Sequence, residues 1–165
     1  MITKVAILIP TKNKSEFINR QLNYYMDIGS NHPIYIGDSS NKYHKKIFLK
    51  IINNYKKYLD IKYFFYPKLP PNEITLKMAT KVNEKFCTYS GDDDLFVPNS
   101  LQKCANFLKK NKQYRTAQGK AFLFSLKTKG PYGKLNFFDV YWKDPQIKNN
   151  KAKARIIDYI KYSLN

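Results

Sequence analysis

Three consecutive carboxylates, Asp92, Asp93 and Asp94, are the group in this sequence best suited to chemistry. Adjacent carboxylates repel one another, so a cation that neutralises them makes such a group easier to keep. Mg²⁺ and Mn²⁺ take oxygen ligands, commonly one or two carboxylates together with phosphate oxygens. The triplet therefore predicts a site for Mn²⁺ or Mg²⁺ beside a phosphate-bearing ligand. An exposed acidic turn that caps the helix beginning near Pro98 explains it equally well.

A further carboxylate, Asp38, ends a short apolar segment and is followed by Ser39, Ser40 and Asn41. A carboxylate at the end of a strand can accept hydrogen bonds from a base or a ribose. The ordinary alternative is an Asx turn that leads the chain out of the strand. Asn13 and Ser15 have a similar alternative, because both are good helix N-cap residues.

Other candidate residues carry weaker signals. His32 and His44 have no recognisable partner in the sequence and receive no chemical role. Tyr141 and Trp142 could stack on a sugar or a base, but a packing role is the more ordinary interpretation for both.

Strands and helices must position these groups, and the sequence indicates them by apolar runs and by helical periodicity. The pattern predicts strand, helix, strand, helix, strand, helix, strand, which is typical of right-handed crossovers in a mostly parallel sheet with helices on both faces. A helix follows Pro98, with Leu101, Cys104, Ala105 and Leu108 at helical spacing. In the helix before it, capped by Asn72, we expect Leu76, Ala79, Val82 and Phe86 on one face. The predicted strands are Lys4–Pro10, Pro33–Asp38, Ile61–Tyr66, Phe86–Ser90 and a fifth at Ala121–Leu126, and a basic helix is expected over Ala152–Leu164.

Polar segments follow three of these strands at their carboxyl ends. They are Thr11–Ser15, Asp38–Asn41 and Gly91–Asp94. Ligands of open α/β sheets bind beyond the carboxyl ends of the strands. The order of elements therefore predicts that the three segments meet in one site.

The composition limits the class of protein. The chain has 165 residues and 43% hydrophobic residues, which suits one packed domain. Two cysteines and two histidines without ligand spacing argue against a zinc module or a disulfide scaffold. No apolar run is long enough to span a membrane and the N-terminus lacks a cleavage site, so we expect a cytoplasmic protein. A formal net charge of +18 predicts attraction to anionic partners, although residues favoured by AT-rich codons explain much of that charge equally well.

The three polar segments together resemble the family 2 glycosyltransferases of the GT-A fold. The resemblance covers about residues 3–125 and rests on IPTKNKSEFINRQL, IGDSSN and YSGDDDLFVP, in that order after successive predicted strands. It implies a three-layer α/β/α sandwich with a mostly parallel sheet. It also implies one domain over residues 1–165, with a nucleotide-sugar-binding part to about residue 125 and a short or truncated acceptor-side part over 126–165.

The resemblance further implies the residues of the site. In this family Pro10, Thr11 and Asn13 would line a uridine pocket, Asp38 would meet the base, and Lys77 would contact the diphosphate. Asp92, Asp93 and Asp94 match the motif that binds a divalent cation, Mn²⁺ or Mg²⁺, on the donor diphosphate, with Asp92 and Asp93 also facing the nucleotide sugar. Gly91 stands where many members have the first aspartate. The catalytic base has no assignment, because Asp139, Asp144 and Asp158 lie in no recognisable motif.

The resemblance therefore implies a metal-dependent, inverting transferase that moves a sugar from a nucleotide diphosphate, a UDP-sugar, to a hydroxyl group. The acceptor would be a glycan or a lipid-linked molecule, with peripheral contact to an anionic membrane. One alternative is a nucleotide-sugar-binding fragment that lacks catalysis. A basic nucleic-acid-binding protein is less favoured, because many of its aromatic residues fall in predicted core strands.

Overall fold

The strand β1, Val5–Thr11, is buried along its whole length because it lies in the middle of a sheet. In this computed structural model, which describes residues 3–128, 131–140, 149 and 151–163, four parallel strands follow the order β3-β2-β1-β4. The other three strands are β2, Ile34–Asp38, β3, Ile61–Phe65, and β4, Phe86–Tyr89. All four match predicted strands, and their carboxyl ends share one edge of the sheet.

Four helices connect or follow these strands: α1, Ser15–Asp27, α2, Lys42–Tyr55, α3, Pro71–Ala79, and α4, Pro98–Lys110. The end of α1 shows why the chain stops being helical there. Gly29 has a φ of +62°, its N–H donates to the Met26 carbonyl, and the Ser30 N–H donates to the Tyr25 carbonyl. These bonds form a Schellman motif, for which glycine is the preferred residue.

Helices cover both faces of the sheet. On one face Ile18, Leu22 and Tyr25 of α1 pack with Phe48 of α2 and Leu101 of α4. On the other face Ile74 and Met78 of α3 pack with Ala6, Leu8 and Tyr35. The predicted three-layer α/β/α arrangement with a parallel sheet is confirmed.

The expected buried face of α3 was wrong. Leu76 is 67% exposed, whereas Ile74 and Met78 are fully buried. A Cβ atom added to Gly37 on β2 would collide with Ile74 and come within 2.9 Å of the Met78 sulfur. Because Gly37 has no side chain, the face of α3 that carries Ile74 and Met78 can pack directly on β2.

The residues form two compact units. One holds 3–119 with 131–132, and the other holds the described residues of 120–128 and 133–163. In the second unit β5, Phe122–Leu126, matches the predicted fifth strand and pairs antiparallel with β6, Leu135–Val140, which the sequence did not predict. This unit also contains α5, Ala152–Ser163. The candidates Tyr141, Trp142 and Asp144 lie outside the described residues, and a functional boundary near residue 125 stays a prediction.

None of the helices described here is long and apolar enough to cross a membrane.

Candidate functional site

The segments that follow β1, β2 and β4 meet at the carboxyl edge of the sheet, as predicted. Thr11 lies opposite Asp38 in the register of β1 and β2, and its carbonyl accepts a hydrogen bond from the Ser39 N–H. On the other side of β1 the Ser90 N–H donates to the Leu8 carbonyl. Pro10, opposite Gly37, is buried within the same edge. Backbone pairing therefore fixes the three segments relative to one another.

Asp38 is fully buried and both of its carboxylate oxygens have partners within the protein. Oδ1 accepts from the Ser40 N–H at 2.7 Å, which is the Asx turn expected as the structural alternative. Oδ2 accepts from the Tyr63 hydroxyl at 2.7 Å. Burial and this donation to Asp38 raise the pKa of Tyr63 well above its ordinary value. Direct contact between Asp38 and a base would thus require the Tyr63 hydroxyl to move.

Asn13 connects the β1 and β2 segments through its backbone and its side chain. Its N–H donates to Ser40 Oγ at 2.7 Å, and its Oδ1 accepts from the Asn41 N–H at 3.0 Å. The residue has a φ of 57°, a left-handed conformation that asparagine tolerates better than most residues. Neither Asn13 nor Ser15 caps α1, whose N-cap is Lys14 without a side-chain capping bond. The capping interpretation of these two residues is therefore wrong.

The acidic segment contacts β1 and the start of α1. Thr11 Oγ1 donates to Asp92 Oδ2 at 3.0 Å. The Lys14 ammonium lies 2.9 Å from Asp92 Oδ1 and 3.4 Å from Asp93 Oδ2. The hydrogen bond to Asp92 is the main reason that the pKa of Lys14 is raised. The side chain of Asp92 is 12% exposed and that of Asp93 is 54% exposed, so Asp92 is the more enclosed of the two.

Two side chains of α1 hold the backbone of the acidic turn. Gln21, fully buried, donates from Nε2 to the Gly91 carbonyl at 2.8 Å and to the Asp94 carbonyl at 2.5 Å. Arg20 donates to the Asp93 carbonyl at 2.7 Å. The first turn of α4 contains no acidic residue, so the triplet does not cap that helix.

Gly91 is tightly enclosed by the turn that it begins. A Cβ atom there would lie 2.7 Å from Asp94 Oδ2 and 3.1 Å from Asp93 Oδ1. A side chain at this position would displace both carboxylates. The glycine therefore suits this particular turn, in which Asp94 is folded back towards residue 91.

The structure does not join Lys77 to the other predicted site residues. Lys77 is exposed in the last turn of α3, on the other side of the sheet from α1. Among the hydrogen bonds described for residues 3–128, none links its side chain to Thr11, Asp38 or Asp92. Its contact with a diphosphate stays a prediction.

Sequence reasoning missed several residues of this edge. Four side chains contact residues that are far away in the sequence, and a single sequence gives no signal for such contacts. They are Lys14, Arg20, Gln21 and Tyr63. The two histidines also have partners: His44 Nδ1 lies 3.0 Å from Ser15 Oγ, and the Val5 N–H donates to His32 Nδ1 at 3.0 Å. Since His32 Nδ1 accepts that bond, Nε2 carries the proton that it donates to the Pro98 carbonyl. His32 thereby links Pro98, the first residue of α4, to Val5, the first residue of β1.

The donor set suits a hard divalent cation. Asp92 and Asp93 already direct one oxygen each at a single positive charge, the Lys14 ammonium. Both are oxygen ligands, as Mg²⁺ and Mn²⁺ require. Among the described residues no group of three or more His, Cys, Asp or Glu side chains is arranged so that it could hold a metal ion. A bound cation would therefore complete its shell with phosphate oxygens and water.

Solved glycosyltransferase structures have a similar fold. A crystal structure of S. aureus TarS 1-349 has a TM-score of 0.57 and 18% identity, over 88% of this chain and 40% of that chain. A crystal structure of S. aureus TarS has a TM-score of 0.55 and 18% identity, over 90% and 24% of the two chains. The mannosyltransferase PcManGT from Pyrobaculum calidifontis, in complex with GDP-Man and Mn²⁺, has a TM-score of 0.54 and 12% identity over 66% and 33%.

These similarities show that the chain has an α/β fold like that of glycosyltransferases. The chain spans less than half the length of each of these proteins. No protein-family model matches the sequence, and no curated protein matches it either.

Proposed function

We propose that this chain is the donor-binding part of a family 2 glycosyltransferase of the GT-A fold. It would bind a nucleoside-diphosphate sugar, a UDP-sugar, together with Mn²⁺ or Mg²⁺, and pass the sugar to a hydroxyl acceptor with inversion. The observation that carries this proposal is the contact between Thr11 and Asp92, because it places the acidic turn beside the β1 segment at the edge where α/β proteins bind nucleotides.

Each part of the site has a role in this proposal. The nucleoside would occupy the edge between Asn13 and Asp38, where backbone and side-chain polar groups converge. The diphosphate would lie beside Asp92 and Asp93, which would hold the cation. When bound, that cation stabilises the negative charge that develops on the departing diphosphate. The solved structure of the mannosyltransferase in complex with GDP-Man and Mn²⁺ supports this combination of ligands for the fold.

The acceptor would be a glycan or a lipid-linked molecule at an anionic surface. The second unit carries exposed apolar side chains, including Ile156 and Ile160 of α5, on a helix that also bears Lys153 and Lys161. A combination of apolar and basic side chains suits a peripheral contact with anionic lipid. The catalytic base has no assignment, because Asp139, Asp144 and Asp158 lie in no recognisable motif.

The first experiment is a calorimetric titration of UDP, and separately of GDP, into the protein with and without Mn²⁺. We expect metal-dependent binding of UDP that is at least about tenfold weaker in Asp92→Asn, because that change removes one ligand charge. Asp60→Asn is the matched control: it removes the same charge from an exposed position away from the site and should leave affinity unchanged.

Other outcomes would change the proposal in defined ways. Tighter binding of GDP would correct the donor while keeping the site. Binding with no sugar transfer to any hydroxyl acceptor would favour the nucleotide-sugar-binding fragment. No binding of either nucleotide, together with a salt-sensitive affinity for an oligonucleotide, would overturn the proposal in favour of a nucleic-acid-binding protein.

A further inference from the structure

Lys14 holds a position that the proposed metal would need. Its ammonium lies 2.9 Å from Asp92 Oδ1 and 3.4 Å from Asp93 Oδ2, so it offsets one of the two negative charges assigned to the cation. The remaining oxygen of Asp92, Oδ2, accepts the hydrogen bond of Thr11. A cation that approaches Asp92 therefore meets one oxygen held by a hydroxyl and another held by an ammonium.

Charge and space disfavour placing both cations on the same carboxylate oxygen. Mg²⁺ takes its oxygen ligands at about 2.0–2.1 Å, so the ion and an ammonium cannot share one lone pair of a carboxylate oxygen. Two neighbouring positive charges would also repel each other. The Lys14 side chain is 42% exposed and has a flexible four-carbon stem, so it can leave without unfolding the turn.

Lys14 also has an alternative partner once a donor binds. It is the N-cap of α1, and its ammonium begins within salt-bridge distance of the carboxylates that would hold the metal. A diphosphate on that metal would bring negative oxygens to the same place. An anion is also favoured beside a helix N-terminus.

We propose that Lys14 is a resident counter-ion of the acidic turn, which competes with the divalent cation for Asp92 and Asp93 and pairs with the donor diphosphate when displaced. The competition concerns the metal alone, whereas the pairing with diphosphate rests on the proposed function. The exchange makes metal binding weak in the absence of nucleotide and stronger in its presence. The protein would then take up metal and donor together.

The first test measures the affinity of the metal alone. Free Mn²⁺ is followed by electron paramagnetic resonance during titration into the wild type, Lys14→Met and Lys12→Met. We expect Lys14→Met to bind Mn²⁺ at least about tenfold more tightly, because the competing charge is gone. Lys12 is an exposed neighbour with no ion pair among those described for residues 3–128. Lys12→Met should therefore change the affinity by less than about twofold.

The second test measures UDP binding at saturating Mn²⁺. Here the expected change has the opposite sign: Lys14→Met weakens UDP binding at least about tenfold, because the ammonium that meets the diphosphate is lost. Lys14→Arg keeps a positive charge and should retain most of the affinity. A loss of structure would weaken both Mn²⁺ and UDP binding, so opposite changes distinguish the proposed role from a structural one.

The outcomes separate this inference from the function on which it partly rests. Equal Mn²⁺ affinities in Lys14→Met and Lys12→Met, or no Mn²⁺ binding in any variant, would overturn the competition. Tighter Mn²⁺ binding with unchanged UDP affinity would overturn the pairing with diphosphate. If UDP fails to bind the wild type while Lys14→Met still binds Mn²⁺ more tightly, the proposed function fails and the competition stands.

Discussion

At the scale of single residues, Asp38 has two separable roles: it stabilises the end of β2, and we propose that it meets the nucleotide. Asp38→Asn keeps an oxygen for the Ser40 N–H, and the Tyr63 hydroxyl can rotate to accept from the new amide. We expect this variant to fold with a small loss of stability but to bind UDP at least about tenfold more weakly.

Asp38→Ala is the companion variant. It leaves the Ser40 N–H and the Tyr63 hydroxyl without their acceptor in a buried place, which should cost about 2–4 kcal/mol in the free energy of unfolding. Urea denaturation and UDP titration of both variants separate the two roles. Equal UDP affinity in wild type and Asp38→Asn would remove Asp38 from the nucleotide site.

Tyr25 makes the free energy of unfolding depend on pH in the alkaline range. Burial raises the pKa of this phenol to about 12, whereas the unfolded value is about 10. Because the pKa of Tyr25 is higher in the folded state, the stability that the protonated phenol contributes is fully present below about pH 10. That contribution is lost as the pH rises towards about 12. Between about pH 9 and 11.5 we expect the wild type to lose about 2 kcal/mol more than Tyr25→Phe.

The Tyr25→Phe variant also lacks the acceptor for the Phe96 N–H, but that loss does not change with pH. Urea denaturation at several pH values therefore isolates the ionisation from the lost hydrogen bond. Parallel curves for the two proteins would show that Tyr25 ionises in the folded state without cost.

Residue types at strand ends were predictable, but their partners were not. The positions of Asp38 and Asp92 followed from the order of strands, since parallel strands bring their carboxyl ends together. Their contacts with Tyr63 and Lys14 depend on side-chain directions across separations that no local pattern encodes. The sequence therefore predicted that these segments meet at one edge of the sheet, but it did not reveal the contacts that hold them there.

At the scale of elements, the packing of α3 on β2 depends on Gly37. A methyl group there would collide with Ile74 and approach Met78, two fully buried side chains. We expect Gly37→Ala to lower the free energy of unfolding by about 1–3 kcal/mol, as is usual for overpacking. Gly119 has no atom within 4 Å of an added Cβ, so Gly119→Ala should be neutral or slightly stabilising in the same urea titration.

The contact between α1 and the acidic turn depends on Gln21. Gln21→Leu removes the donor to the Gly91 and Asp94 carbonyls, and we expect a loss of about 1–3 kcal/mol in the free energy of unfolding. Mn²⁺ affinity should fall as well, because Asp92 and Asp93 lie within the released turn. Gln102→Leu, a change of the same type on α4, should leave Mn²⁺ affinity unchanged.

Elements were predictable where one local rule dominated. Continuous apolar runs identified the central strands, because a strand covered on both faces must be apolar at every position. The face of α3 was mispredicted because Gly37, on another element, decides it. The strand β6 was missed because its sequence, LNFFDV, has no clear alternation and its residues were not separable from loop.

At the scale of the whole molecule, the net charge of +18 attracts anionic surfaces from a distance, whereas the candidate site binds its ligand through direct contacts. We expect the protein to bind vesicles that contain anionic lipid at low ionic strength, and to leave them at about 0.5 M salt because the charges are screened. UDP affinity at saturating Mn²⁺ should fall far less over the same range. Sedimentation with anionic and neutral vesicles measures the first, and binding to neutral vesicles at high salt would contradict it.

The position of β1 in the middle of the sheet also affects how the chain acquires its structure. Val5 lies opposite Phe86, so β1, which precedes the other three described strands of this sheet, cannot complete its hydrogen bonds until β4 is available. Closing such a long loop before the β1–β4 pairing is gained slows folding. During synthesis one edge of this apolar strand stays open while β2 and β3 are made, and we expect that open edge to be where the nascent chain is most exposed to wrong pairing.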